Sequence, residues 1–214
     1  MSVQRLRDIV NVAVPTLFAQ IQGGRVRCES EATLQLHLGR IITTVADLNI
    51  VSLRETFSIE LEKPLQGEGG KRGRIDIWFH LITNDGTELR CALELKFFKK
   101  SNQREPNNRY DVFKDIARLE RCHDVADLGF MLVATDHEHY ITQASYSAET
   151  SDFDLRDGKS YKAGSKLIYK TGGYGAPITL ARNYQFRWAG ATTTLRYLLL
   201  EITPVNEKKP YRQR

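Results

Sequence analysis

Two apolar segments, residues 74–82 and 88–98, are joined by Asn84-Asp85-Gly86, and this junction constrains the fold more than any other part of the chain. Such a turn between alternating apolar residues predicts an antiparallel hairpin, because glycine readily takes the left-handed backbone that tight turns need. Three charges interrupt the two segments. Asp76 stands between Ile75 and Ile77, and Glu94 and Lys96 lie within Ala92-Leu93-Glu94-Leu95-Lys96-Phe97-Phe98. Strand periodicity puts Glu94 and Lys96 on one face, roughly 7 Å apart. Isolated charges in an apolar strand are costly to desolvate, so they are normally paired or functional.

Whether Asp76 joins the other two depends on register. A two-residue loop pairs Asn84 with Thr87 and sets Asp76 opposite Leu95, away from Glu94. A three-residue loop pairs Thr83 with Thr87 and sets Asp76 opposite Glu94. Gly86, at the third loop position, favours the latter, although the turn alone leaves the other register open. Two facing carboxylates repel unless a cation lies between them. Oxygen ligands with no His or Cys nearby suit Mg²⁺ or Mn²⁺ better than zinc. A divalent ion beside a lysine and a basic surface is the equipment for phosphodiester hydrolysis.

The rest of the chain supplies a frame. Residues 3–18 read as an amphipathic helix interrupted or ended near Pro15. Ser30 is the expected N-cap of a second helix to about residue 47, with Leu34, Leu38, Ile41, Ile42 and Val45 on its apolar face. Residues 51–62 alternate as a strand, and 63–74 read as a glycine-rich loop. A helix is expected over about 107–122, with Tyr110, Phe113, Ile116 and Ala117 inward. The continuous apolar run 128–134 suits a strand covered on both faces. Residues 145–166 read as a polar excursion, and 184–188 and 194–203 as further strands. The expected fold is α/β, a mixed central sheet flanked by helices, with C-terminal β additions. The 214 residues, 41% hydrophobic and 27% charged, suit one domain over 1–214, with its core at about 30–135 and a flexible tail at 204–214.

Cys28, Cys91 and Cys122 form no CxxC pair, and no apolar run approaches a membrane span or a secretory leader. These features predict a cytoplasmic protein with no membrane partner. The net charge of +5 is concentrated: residues 96–121 hold eight basic and four acidic side chains. Nucleic acid is therefore an expected partner, with an acidic protein surface as the alternative.

The hairpin bearing Asp76 and then Glu94-Leu95-Lys96 resembles the signature of the PD-(D/E)XK, or restriction-endonuclease-like, nucleases. The helix–strand–hairpin–helix–strand order, αβββαβ, is similar to that superfamily's core, although Ile75 stands where its proline would be. The resemblance implies a Mg²⁺-dependent DNA endonuclease, with Mn²⁺ able to substitute and DNA favoured over RNA. Asp76, Glu94 and the Leu95 carbonyl would then hold the metal, and Lys96 would position or activate water. A homodimer is a further implication, because many endonucleases of this fold cut both strands as dimers. The alternative is a nuclease-fold protein that binds nucleic acid or a protein without cutting.

Several such nucleases add a glutamate from the helix before the sheet. Glu31 projects about 20° from Leu38 on the apolar face, whereas Glu29 points well outside it. Glu31 is therefore a fourth candidate ligand, or else a first-turn acid favoured by the helix dipole. Candidate phosphate contacts are Lys71, Arg72 and Arg74 before the hairpin, Lys99 and Lys100 after it, and the helical stripe Lys114, Arg118 and Arg121. That stripe equally reads as a solvated face with Asp111–Lys114 and Asp115–Arg118 pairs. His137-Glu138-His139 reads as a surface turn, Cys91 and Cys122 as packing residues, and Tyr184, Phe186 and Trp188 as core.

Overall fold

A computed structural model describes residues 3–66, 72–101, 104–171, 174–191 and 195–205. Helix α1 (Gln4–Gln22) and helix α2 (Glu31–Asn49) precede three long strands, β1 (Thr56–Gln66), β2 (Arg72–Ile82) and β3 (Glu88–Phe98). Helix α3 (Glu105–Glu120), strand β4 (Leu128–Thr135) and the short helix α4 (His139–Thr142) follow. The C-terminal part adds β5 (Ser160–Tyr161), β6 (Lys166–Leu167), β7 (Ile178–Thr179), β8 (Tyr184–Gln185), β9 (Trp188–Ala189) and β10 (Arg196–Ile202). The fold is mixed α/β, as expected. Its six-stranded sheet runs β1-β2-β3-β4-β10-β9, with β3 and β4 parallel and the other pairs antiparallel. No helix among the described residues is long and apolar enough to cross a membrane.

Local chemistry explains most boundaries. Ser30 caps α2, its hydroxyl accepting the Thr33 N–H at 3.2 Å. Gly86 has φ +80°, and Thr83 donates to the Thr87 carbonyl at 2.9 Å, so the hairpin takes the three-residue register. Three expectations need correction. Helix α1 continues through Pro15 to Gln22, because Leu6, Ile9, Val10, Ala13, Val14, Leu17 and Phe18 bury one stripe on both sides of the proline. Strand β1 begins at Thr56 instead of residue 51, and it continues through Pro64 into the expected loop. As an edge strand it tolerates a residue without an N–H. The Tyr184–Trp188 run forms two short strands, β8 and β9, in different sheets.

The sheet's two faces are covered differently. Helices α1 and α2 pack on one face over Ile77, Phe79, Leu93, Leu95, Phe130 and Leu132. The other face carries Trp78, Ala92, Met131 and Val133 under α3. Residues of the C-terminal excursion then wrap α3 from outside. Phe113 meets the rings of Phe153, Tyr161 and Phe186, and Arg109 reaches the carbonyls of Thr150 and Phe153. The polar excursion thus forms an outer layer over α3, anchored by few but large side chains.

Candidate active site

The β2–β3 ladder runs from Ile82–Glu88 to Ile77–Leu93 and stops one step short of Asp76 and Glu94. On the other side of β2, pairing with β1 skips Glu62 and Asp76 between Leu61–Ile77 and Lys63–Ile75. Glu62 there has φ +56°, a left-handed conformation unusual for a residue with a side chain. The side-chain alternation shifts at this point, since Ile77 packs under α1 and α2 and Ile75 packs with the α3 core. The Asp76 carboxylate enters the gap, and its Oδ2 accepts the Leu95 N–H at 2.6 Å.

Helix α2 grips both sides of this opening. Gln35 donates to the Asp76 carbonyl at 2.6 Å and to Glu62 Oε1 at 3.0 Å. One turn earlier, Glu31 accepts the Phe97 N–H from β3 at 3.1 Å. The i, i+4 spacing puts both side chains on one helix face.

The α3 side closes the site with charge. Glu94 is 1% exposed; its Oε2 lies 2.5 Å from Arg118 Nη2, while Oε1 is buried with no hydrogen-bond partner. Arg118 also meets Asp115 at 3.1 Å. Lys96 Nζ lies 2.8 Å from Asp115 and donates to the Leu95 carbonyl at 3.1 Å. Burial pushes the Glu94 carboxyl up to about 9, against the pull of Arg118. Burial likewise raises Asp76, opposed by the Leu95 N–H and Lys96, and raises Glu31, opposed chiefly by Lys96. Burial pulls Lys96 down, but Asp115, Glu31 and Asp76 together outweigh it and the ammonium is held charged.

The structure therefore brings Asp76, Glu94, Leu95, Lys96 and Glu31 together. Arg118 turns inward to Glu94 and Asp115, so it does not continue an exposed stripe; Lys114 and Arg121 are exposed. The Asp115–Arg118 pair exists, but in the site and not on a solvated face. Lys99 pairs with Glu29 at the surface, Lys100 is exposed, and Arg74 is exposed with Glu62 3.7 Å away. Lys71 and the Arg72 side chain lie outside the described residues, as does most of the 204–214 tail.

Sequence reasoning gave Gln35 and Glu62 no role and placed Asp115 only in a solvated pair with Arg118. Asp115 had a usable signal, an acid three residues after Val112 and four before Leu119, both fully buried on α3. Gln35, one turn after Glu31, had a weaker one. Glu62 had none, because its placement follows from a backbone irregularity.

Among the described residues, no group of three His, Cys, Asp or Glu converges closely enough to hold a metal ion as it stands. The donor chemistry nonetheless suits a hard cation. The Glu94 Oε1 acceptor is unused, and Asp76 Oδ2 and the Leu95 carbonyl hold only protein donors. Comparisons with known protein families, curated proteins and solved structures return no match.

Proposed function

We propose that the chain is a Mg²⁺-dependent nuclease with a restriction-endonuclease-like core, cutting DNA in preference to RNA. The supporting observation is Glu94, a nearly inaccessible carboxyl with an oxygen that nothing in the protein satisfies, beside Asp76 and Lys96. A bound cation would complete that oxygen. Asp76, Glu94 and the Leu95 carbonyl would hold the cation, with Glu31 at the mouth. A bound divalent cation supplies Lewis acidity and a more acidic water. Asp115, Glu31 and Asp76 keep Lys96 charged, so Lys96 serves as a cation toward the phosphate or the attacking water and not as a base.

The internal pairing favours one competing reading. Arg118 on Glu94, and Lys96 on Asp115 and the Leu95 carbonyl, would also suit a nuclease-fold protein that binds without cutting. Calorimetric Mn²⁺ titration, with plasmid and linear DNA incubated in Mg²⁺ or EDTA, separates the two. The nuclease reading expects Mn²⁺ binding that Asp76→Asn weakens, and cleavage that EDTA stops. Mn²⁺ binding without cleavage would leave the binding protein standing, and no Mn²⁺ binding would overturn the cation site. Sedimentation of the same sample tests the homodimer.

A further inference from the structure

Arg109 and Arg118 share helix α3, and their guanidinium groups are used very differently. Arg109 is 1% exposed, and each of its nitrogens has an acceptor. Nε meets Glu105, Nη1 meets the Thr150 and Phe153 carbonyls, and Nη2 meets the Thr150 hydroxyl. That group is a finished structural joint. Arg118 keeps 32% of its side chain exposed, and Nη2 alone serves both Glu94 and Asp115. Its Nε–H is buried without an acceptor. A guanidinium carries five donors in a fixed plane, so most of the capacity of Arg118 is unused.

Beside it, Glu94 Oε1 is a buried acceptor without a donor. Two contacting side chains thus hold one unsatisfied donor and one carboxyl oxygen without a partner. A ligand that completes both offers a positive centre to Glu94 and an anionic oxygen to Arg118. The surrounding charges agree. Among the described residues, the acidic groups Glu31, Asp76, Glu94 and Asp115 lie against two cations, Lys96 and Arg118, so an anion alone meets an acidic excess, which a cation relieves.

We propose that Arg118 is a phosphate-binding residue of this site, positioned by Glu94 and Asp115, and that it takes a non-bridging oxygen of a phosphodiester together with a divalent cation on Glu94. The proposal rests on the nuclease reading above and deepens it. Arg118 then binds one phosphate at the centre of the site and is not one of several side chains tracking a backbone.

The test is Mn²⁺ titration of the full chain with and without dimethyl phosphate, a diester anion too small to touch the outer basic surface at the same time. In the wild type, dimethyl phosphate should tighten Mn²⁺ binding about fivefold or more, and Mn²⁺ should tighten dimethyl phosphate by the same factor. Arg118→Ala should reduce that factor to about one. Arg118→Lys keeps a cation for Glu94 and Asp115, which protects folding, but lacks the planar fork; it should leave less than about a twofold effect. Lys162→Ala, exposed in the C-terminal excursion, should keep the full coupling. Wild-type coupling in either folded Arg118 variant, or Mn²⁺ binding with no coupling in the wild type, overturns this proposal and leaves the nuclease reading intact. Absence of Mn²⁺ binding from the wild type overturns both.

Discussion

Two glutamates adjoin α3, Glu94 on β3 beneath its middle and Glu120 at its C-terminal end, and each is 1% exposed. Glu120 is saturated: it accepts from the Ala181 and Arg182 backbone N–H groups and from the Tyr184 hydroxyl, at 2.7–3.0 Å. It stitches the C-terminal excursion to the helix. Glu94 has one guanidinium and a free oxygen. The same fold, at nearly the same depth, satisfies one buried carboxylate completely and leaves the other short. The difference teaches that depth alone does not decide whether a buried carboxyl is satisfied; His123 Nδ1 is likewise buried without a hydrogen-bond partner. The deficit of Glu94 lies at the opening between β2 and β3, where Asp76, Lys96 and Gln35 also lie.

The sharpest way to break this contrast is to make the same substitution at both positions. On the proposed nuclease reading, in which Glu94 holds the cation, Glu94→Gln should lower single-turnover DNA cleavage by roughly a thousandfold or more while the protein stays folded. Glu120→Gln should instead cost about 2–4 kcal/mol in urea unfolding, because it turns an amide toward backbone donors, while the folded fraction still cuts. If Glu94→Gln cuts normally, or Glu120→Gln is neutral in stability, the two carboxylates do not differ as described.

Next in size is the pH dependence of stability without metal. Glu94 is raised from 4.5 to about 9 in the folded chain, so the folded state holds a proton that the unfolded state has lost. Its contribution is fully present below about pH 4.5 and is lost as pH rises toward 9, with a slope of at most about 1.4 kcal/mol per pH unit. Metal-free wild type should therefore lose stability between pH 6 and 9, and Glu94→Gln should flatten that decline. Equal slopes in urea titrations of the two proteins would remove the special status of Glu94. Mn²⁺ must displace this proton, so its affinity should rise over the same interval.

Gln35→Ala tests whether the opening is held from α2. It removes both donors at once, and Mn²⁺ affinity should fall about tenfold with a stability loss near 1 kcal/mol. Amide exchange at Leu95, whose N–H rests on Asp76, should accelerate in the metal-free protein while Leu93 is unaffected. Unchanged exchange at Leu95 would mean that Asp76 is held without Gln35.

The smallest effect concerns the exposed cations. Lys114→Ala with Arg121→Ala should lower the slope of log K against log salt for duplex DNA by about 0.9 for each phosphate that is no longer neutralised. An unchanged slope would place the nucleic-acid surface elsewhere.

Much of this was legible from local pattern. Gly86 favoured the observed hairpin register while leaving the other open, Ser30 marked the α2 start, strand periodicity put Glu94 and Lys96 on one face, and the favoured register added Asp76. Glu31 could be preferred over Glu29 by helical projection alone. Arg118 was legible as a charge but not as a partner. Its i−3 relation to Asp115 was visible, yet whether the pair faced water or β3 depended on what covered α3. The covering excursion has weak periodicity, and its anchors, Arg109 and Glu120, bond to backbone groups more than 40 positions away.

What the chain determined by itself was therefore everything set by neighbours within a few residues: strand faces, a turn, a cap, and the placement of three charges in apolar strands. The tertiary structure decided the rest. It carried α1 through Pro15, extended β1 past Pro64, turned Arg118 inward, and parted β2 from β3 so that Asp76 reached the Leu95 N–H. The physical reason is common to all four. Each departs from a local preference, at a cost of about 1–3 kcal/mol, and persists because burial and hydrogen bonds from distant segments outweigh it.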